Sequence, residues 1–339
     1  MEQSFGFSKI NPPNLSMYAR VMRPSVVLLL VLVAGCAAVG VHAAAGTPAA
    51  RFWEAALPGS PMPEAVADLV QEGIDHSPLV EHFPVRDNLE SDNNGWGKPP
   101  HAARERSWAD GPTSTGLPGY FFQTQVRVGS TMTVFFPPAA APPILPLEVA
   151  EKVPFSNLAD VLSTFDIAPG SAAAATVRKS LSECQAQPDA GDVKSCTSSL
   201  EATVQSAMRM LGTSHDVWAS ASALTGAGLP RQAYVVEAAA TLDGDRHVGC
   251  HAVSYPYAVY LCHMTGTPTK AYKMTLRGLR GGSTVDMTAI CHLDTSNWSP
   301  SHPAMKILHT QPGAAPVCHF MAPVNLVFGK KTSNAYASE

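Results

Sequence analysis

Charge is scarce in this chain. Only 15% of the 339 residues are charged, and the formal net charge is −4, too weak a field to hold nucleic acid or an anionic membrane. Long apolar runs are missing beyond the amino terminus, since no later stretch approaches the roughly 20 residues of a membrane-spanning helix. The sequence also has no Gly-x-Ser-x-Gly elbow, no phosphate loop and no His-Glu-x-x-His helix, which removes the usual marks of serine hydrolases, nucleotide hydrolases and zinc peptidases. Internal repeats are absent. Proline and glycine number 29 and 25, about 16% together against an average near 12%, without a collagen period.

What is present begins with an address. Arg20 and Arg23 precede an apolar run from Val26 to Val41, followed by Ala43, Ala44, Ala45 and Gly46. Basic, apolar and small-residue parts in that order predict a signal peptide over residues 1–45, with a mature chain starting near Ala45. The run of about 16 residues is short for a signal anchor, and a mature membrane span is not expected. Met17 and Met22 are alternative starts that would alter only the leader.

Cleavage would remove Cys36 and leave Cys184, Cys196, Cys250, Cys262, Cys291 and Cys318. An even set in an oxidising lumen reads as disulfides before metal thiolates. Cys184 and Cys196 enclose an 11-residue polar loop, and a bridge there would remove about 3 kcal/mol of unfolded-chain entropy. The other four cysteines allow three pairings, and the spacing does not choose among them.

The mature chain divides by texture. Residues 46–70 form a short amino-terminal segment whose Val66, Leu69 and Val70 follow Pro63 at helical spacing, predicting a docking helix. Residues 71–118 are polar and rich in Gly, Pro, Asn and Asp, the composition of a flexible linker. The folded domain spans 119–329, and a polar tail covers 330–339. Tyr120-Phe121-Phe122 and Met132 to Phe136 predict an opening strand pair parted by Gly129-Ser130. Helices follow: an Ala-rich run from Ser171 through Leu181, and a second behind a capping box of Ser198 and Glu201, with Val204, Ala207, Met208 and Leu211 on one face before Gly212. From Tyr234 onward the texture is β: Val248 to His263 broken by Pro256, Ala271 to Leu276, Thr284 to His292, Met305 to His309 and Val317 to Phe320. This order predicts an α+β fold, a helical first half packed on a disulfide-stapled, mainly antiparallel β carboxy-terminal half.

Four of the six mature cysteines are followed at once by histidine: Cys250-His251, Cys262-His263, Cys291-His292 and Cys318-His319. With 12 histidines in 339 residues, chance would give this about once in 50,000 trials. On an extended strand adjacent side chains point to opposite faces, so sulfur can turn to the core while imidazole faces the other way. Cysteines would then pair as staples and histidines converge on one site. Four imidazoles suit Cu(II) or Zn(II), and the Irving–Williams order favours copper. The bland alternative is that each ring only hydrogen-bonds locally.

The spacing between these pairs, ten, 27 and 25 residues, resembles the signature of the plant BURP-domain family. Tyr255-Pro256-Tyr257-Ala258-Val259, Asp294-Thr295-Ser296-Asn297-Trp298, Pro312-Gly313 and Pro316-Val317 lie where the family has matching segments. So do Val153-Pro154-Phe155-Ser156, Glu183-Cys184 and Cys196 to Glu201. The resemblance implies copper held by His251, His263, His292 and His319 behind disulfides, and a place among the raftin, dehydration-responsive and polygalacturonase β-subunit types. It implies an exported protein of the apoplast or cell wall with a developmental (pollen-wall-like) or stress-related role, meeting cell-wall polymers or peptides.

Some members of the family resemble copper-dependent oxidative macrocyclases that crosslink Trp or Tyr side chains in their own core peptides. This chain lacks their repeated aromatic core peptides, although Trp96 and Trp108 in the linker are candidate crosslink sites. No residue is assigned as catalytic. His247, His302 and His309 are weaker candidates for extra ligands or proton relays. Asn297-Trp298-Ser299 meets the glycosylation rule, but the central Trp and following Pro300 argue against occupancy.

Overall fold

A computed structural model describes residues 46–70, 119–136, 142–188, 191–223 and 228–332. The expected leader, the 71–118 linker with Trp96 and Trp108, and residues 333–339 lie outside these. No described helix is long and apolar enough to cross a membrane.

The amino-terminal segment contributes α1 (Pro48–Ala56) and the single turn α2 (Glu64–Ala67). Strands β1 (Tyr120–Phe122) and β2 (Thr131–Phe136) follow. Next come the helices α3 (Leu147–Ala150), α4 (Leu158–Thr164) and α5 (Ala172–Gln185). Strand β3 (Val193–Thr197), helix α6 (Leu200–Leu211) and strand β4 (Val217–Ser220) lead into the long β5 (Leu229–Leu242). The rest is β6 (His247–Val253), β7 (Val259–Met264), β8 (Thr269–Gly278), β9 (Thr284–His292), helix α7 (Pro303–Ile307), β10 (Val317–Phe320) and β11 (Leu326–Lys330). The protein is α+β, and its strands pair antiparallel throughout both sheets.

Local chemistry explains the helices. The Ser171 hydroxyl accepts from the Ala174 N–H and starts α5, which turns Ala174, Val177 and Leu181 inward at helical spacing. For α6 the expected capping residue is one position early: Ser199, not Ser198, holds an extended backbone, and its Oγ accepts from the Ala202 N–H at 3.1 Å. Gly212, left-handed at φ +67°, ends that helix as anticipated.

Two β expectations need correction. Tyr120–Phe122 and Thr131–Phe136 are strands, but they do not pair with each other. They occupy opposite ends of a six-stranded sheet ordered β1-β10-β9-β8-β5-β2. That sheet curls until its ends approach, with the Phe136 and Phe320 ring centroids 6.0 Å apart. The aromatic run therefore joins across the enclosed core formed by Phe121, Tyr234, Met274 and Phe320 rather than along a hairpin. Met305 to His309 is not a strand either. Pro303 presets the first helical φ of α7, and the His302 ring nitrogen accepts from the Ala304 N–H, so the segment coils.

The second sheet has five strands, ordered β3-β7-β6-β11-β4. One face packs on the six-stranded sheet through Trp218, Ala271, Ile290, Met321 and Val327. Its other face is covered by α6 and the amino-terminal segment, with Trp53, Leu57, Val204 and Phe328 in that core. Helices α3 to α5 cap the β6–β7 connection, where the Tyr255 hydroxyl donates to the Phe155 carbonyl and the Tyr257 hydroxyl to that of Pro154.

Gly329 lies in β11 directly between Trp218 of β4 and His247 of β6. A Cβ there would sit 2.6 Å from Trp218 Cε2 and 3.0 Å from His247 Cδ2. Gly329→Ala is expected to lower unfolding free energy by about 1–3 kcal/mol in a denaturant titration, because two packed rings must move.

Candidate functional site

Three disulfides form: Cys184–Cys196, Cys250–Cys262 and Cys291–Cys318. The first ties the end of α5 to β3. Each of the others joins residues directly opposite on neighbouring strands, β6 with β7 and β9 with β10, which resolves the choice that spacing left open. Both bridges sit on the core side of their sheets, Cys250 and Cys262 beneath α6, Cys291 and Cys318 inside the curled sheet.

Alternation then turns the following histidines to the opposite faces, where the two sheets meet. His251 and His263 come from the five-stranded sheet, His292 and His319 from the six-stranded one. Ring centroids are 5.2 Å apart for His251–His263, 5.7 Å for His251–His319 and 5.6 Å for His292–His319. The His251 and His263 Nε2 atoms are 3.2 Å apart. Two nitrogens bound to one tetrahedral ion at about 2.0–2.1 Å stand roughly 3.3 Å apart, so this separation matches a shared ion without movement of the backbone. As the side chains stand, no group of three or more His, Cys, Asp or Glu among the described residues is arranged to hold a metal ion. His251 and His263 are engaged with each other.

Burial pushes all four imidazoles below their usual pKa, His251 and His292 well below and His319 to about 4, and neighbouring imidazoles add to the depression at these three. Neutral rings leave one nitrogen lone pair each, the form that ligates metals. The His319 Nδ1–H donates to the Phe320 carbonyl at 3.4 Å, freeing Nε2. His292 Nδ1 is buried with no hydrogen-bond partner, an unsatisfied atom of the kind that marks a missing ion or water.

Several residues around the cluster are not singled out as site residues by the sequence. Asn325 accepts from the Ala252 N–H through Oδ1 and so presents its Nδ2 to His251 Nδ1 at 3.2 Å. The amide donates there, which places the His251 proton on Nε2, facing His263. Gly249 provides room: a Cβ would stand 3.3 Å from His251 Nε2 and 3.7 Å from His263 Nε2. Trp298 lies edge-on to His292 with centroids 5.0 Å apart, and Tyr120, paired with His319 across β1 and β10, has its ring 6.1 Å from that imidazole.

The weaker candidates separate. His302 joins the rim, 4.2 Å from the Trp298 ring centroid. His247 is held locally, Nδ1 by Thr269 Oγ1 at 2.9 Å and Nε2 by the Asp243 carbonyl at 3.0 Å, and it stays outside the cluster. His309 is exposed behind α7, at φ +48°.

Comparison with known proteins identifies the family. The BURP domain family matches residues 119–330. RAFTIN 1A of Triticum aestivum is 40% identical over 70% of this chain and 61% of its own length, and RAFTIN 1B of the same plant is 35% identical over 87% and 94%. BURP domain protein RD22 of Arabidopsis thaliana is 33% identical over 67% of the chain and 59% of its own length. Against RAFTIN 1A and RD22 the chain thus spans about three fifths of the relative. With more than half its length matched, and with cross-strand disulfides presenting four imidazoles at one sheet interface, this chain belongs to the plant BURP-domain family.

Proposed function

We propose that the protein is an exported BURP-domain protein of the apoplast or cell wall, with a developmental or stress-related role, whose four clustered imidazoles bind copper, with zinc as the alternative. The role rests on kinship with raftin and RD22. Three disulfides and the lack of an apolar spanning helix among the described residues are consistent with export. Metal binding rests on one observation: rings up to 68 residues apart in sequence, from two different sheets, meet in neutral form. His263, His292 and His319 would hold the ion, Gly249 would leave space for it, and His251 would join them once its proton moves from Nε2 to Nδ1 and the contact with the Asn325 amide breaks. A bound copper ion would supply one-electron oxidation.

Titration of metal-free protein with Cu(II), followed by electron paramagnetic resonance, is expected to give a nitrogen-coupled spectrum at one ion per chain. His292→Gln is expected to weaken binding by at least about 10-fold to 100-fold, the loss that disturbing even an outer-shell partner of a ligand brings. A spectrum without nitrogen coupling, or an unchanged affinity in that variant, would refute the site.

One observation favours a second reading, copper-dependent oxidative crosslinking of peptides. Segment 71–118 runs into β1 beside His319. Trp108 is 12 residues before Tyr120, within about 40 Å of fully extended chain. Copper-loaded protein in air would then yield a product lighter by two hydrogens at Trp96, Trp108 or an added peptide. An unchanged mass rejects this reading and leaves metal binding standing.

A further inference from the structure

The family match begins at residue 119, yet residues 46–70 are packed into the same core. Trp53 is fully buried against Phe328, and its Nε1–H donates to the Ser60 carbonyl at 2.8 Å. Leu57 and Val66 fill the same core. Beyond the helix, Ser60 Oγ accepts from the Ala219 N–H and donates to the Ala219 carbonyl. It thereby satisfies the outer edge of β4, where a strand would otherwise present unpaired backbone groups. Val70 bridges to Ile144, whose N–H donates to the Leu69 carbonyl. Aromatic and aliphatic anchors in a groove, with backbone groups satisfied along an edge, are how folded domains take up peptides.

We infer that residues 46–70 act as a tethered peptide ligand of the 119–332 body. The groove between α6, β4 and β11 is a docking site for a Trp-bearing amphipathic segment, and the segment stays bound after the covalent connection is cut. The 48 residues between Val70 and Gly119 supply local concentration. The floor of the groove carries the Cys250–Cys262 bridge, and the next residues, His251 and His263, project from the opposite face of the same sheet. Occupancy of the groove therefore supports half of the imidazole cluster from behind.

The test uses the full mature chain with a site-specific protease sequence replacing residues 91–94. After cutting, the amino-terminal piece is expected to co-elute with the body in native size-exclusion chromatography at micromolar concentration and to separate only in denaturant. Trp53→Ala in the same background is expected to weaken retention about a hundredfold or more, since it empties a fully buried aromatic site. Leu57→Ala, a smaller deletion, guards against simple misfolding, and thermal melts of the uncut variants verify that the tethered chains still fold. If the unsubstituted piece elutes alone while the body keeps a cooperative melt, or if neither substitution changes retention, the inference is wrong.

Discussion

Replacing Cys291 and Cys318 together by alanine is expected to lower the unfolding free energy by roughly 3.5 kcal/mol. The sequence separation is 27 residues, and the chain-entropy relation for a closed loop of that size gives about this value at 25 °C. For the separation of 12 at Cys250–Cys262, the same relation gives about 3 kcal/mol. These are large fractions of the roughly 5–15 kcal/mol that holds a typical domain together. The effect also has a direction in space. Each bridge sits one residue before a clustered histidine, so its loss frees the strand that aims the ring. Denaturant unfolding of metal-free protein measures the first consequence. Histidine side-chain resonances by NMR measure the second, and the double alanine variant should show dispersed signals for His292 and His319 collapsing toward unfolded positions. Unchanged resonances would show that sheet pairing alone positions these rings.

Acid is expected to have a comparably large effect. His319 titrates near 6.5 in the unfolded chain and at about 4 in the folded one, because burial disfavours its charged form. Above pH 6.5 neither state is protonated, and the full stability is present. As pH falls from 6.5 to 4 the unfolded state takes up a proton that the folded state refuses, so stability drops, by about 3 kcal/mol from this group alone, and levels off below. His251 and His292 are depressed in the same direction and steepen the fall. His319→Gln should flatten the dependence by close to one proton in denaturant titrations across that range with chelator present. An undiminished slope in the variant would assign the acid sensitivity elsewhere.

The meeting of the four imidazoles is legible in the sequence, and the reason is geometric. A Cys-His dipeptide on a strand must send its two side chains to opposite faces, so four such dipeptides in an oxidising compartment imply two populations of side chains. The Cys184–Cys196 bridge is legible from its short polar loop, whereas the pairing of the other four cysteines is not, since it depends on strand register, and register depends on hairpin geometry. Asn325 and Gly249 were missed for another reason. Neither residue type announces a role, and both act through proximity to imidazoles that only the fold creates. Among elements, β3 is not announced because Val193-Lys194-Ser195-Cys196-Thr197 has no two-residue hydrophobic period, nor are β4 and β11, whose Val217-Trp218-Ala219-Ser220 and Leu326-Val327-Phe328-Gly329-Lys330 do not alternate apolar with polar residues. At Pro303–Ile307 the proline in the first turn is the signal that sets a helix, and it lies before the Met305 to His309 run from which a strand is expected.

Placing sulfur and imidazole at neighbouring positions also imposes an order on biogenesis. In a newly made, reduced polypeptide, Cys250, Cys262, Cys291 and Cys318 would be soft donors beside harder nitrogen ones, and thiolates outcompete imidazoles for cuprous ions. Disulfide formation removes those competitors, and strand alternation keeps the bridged sulfurs on the face opposite the imidazoles. If the imidazole cluster binds copper as proposed, metallation would follow disulfide formation, and a reduced chain would offer the ion sulfur as well as nitrogen.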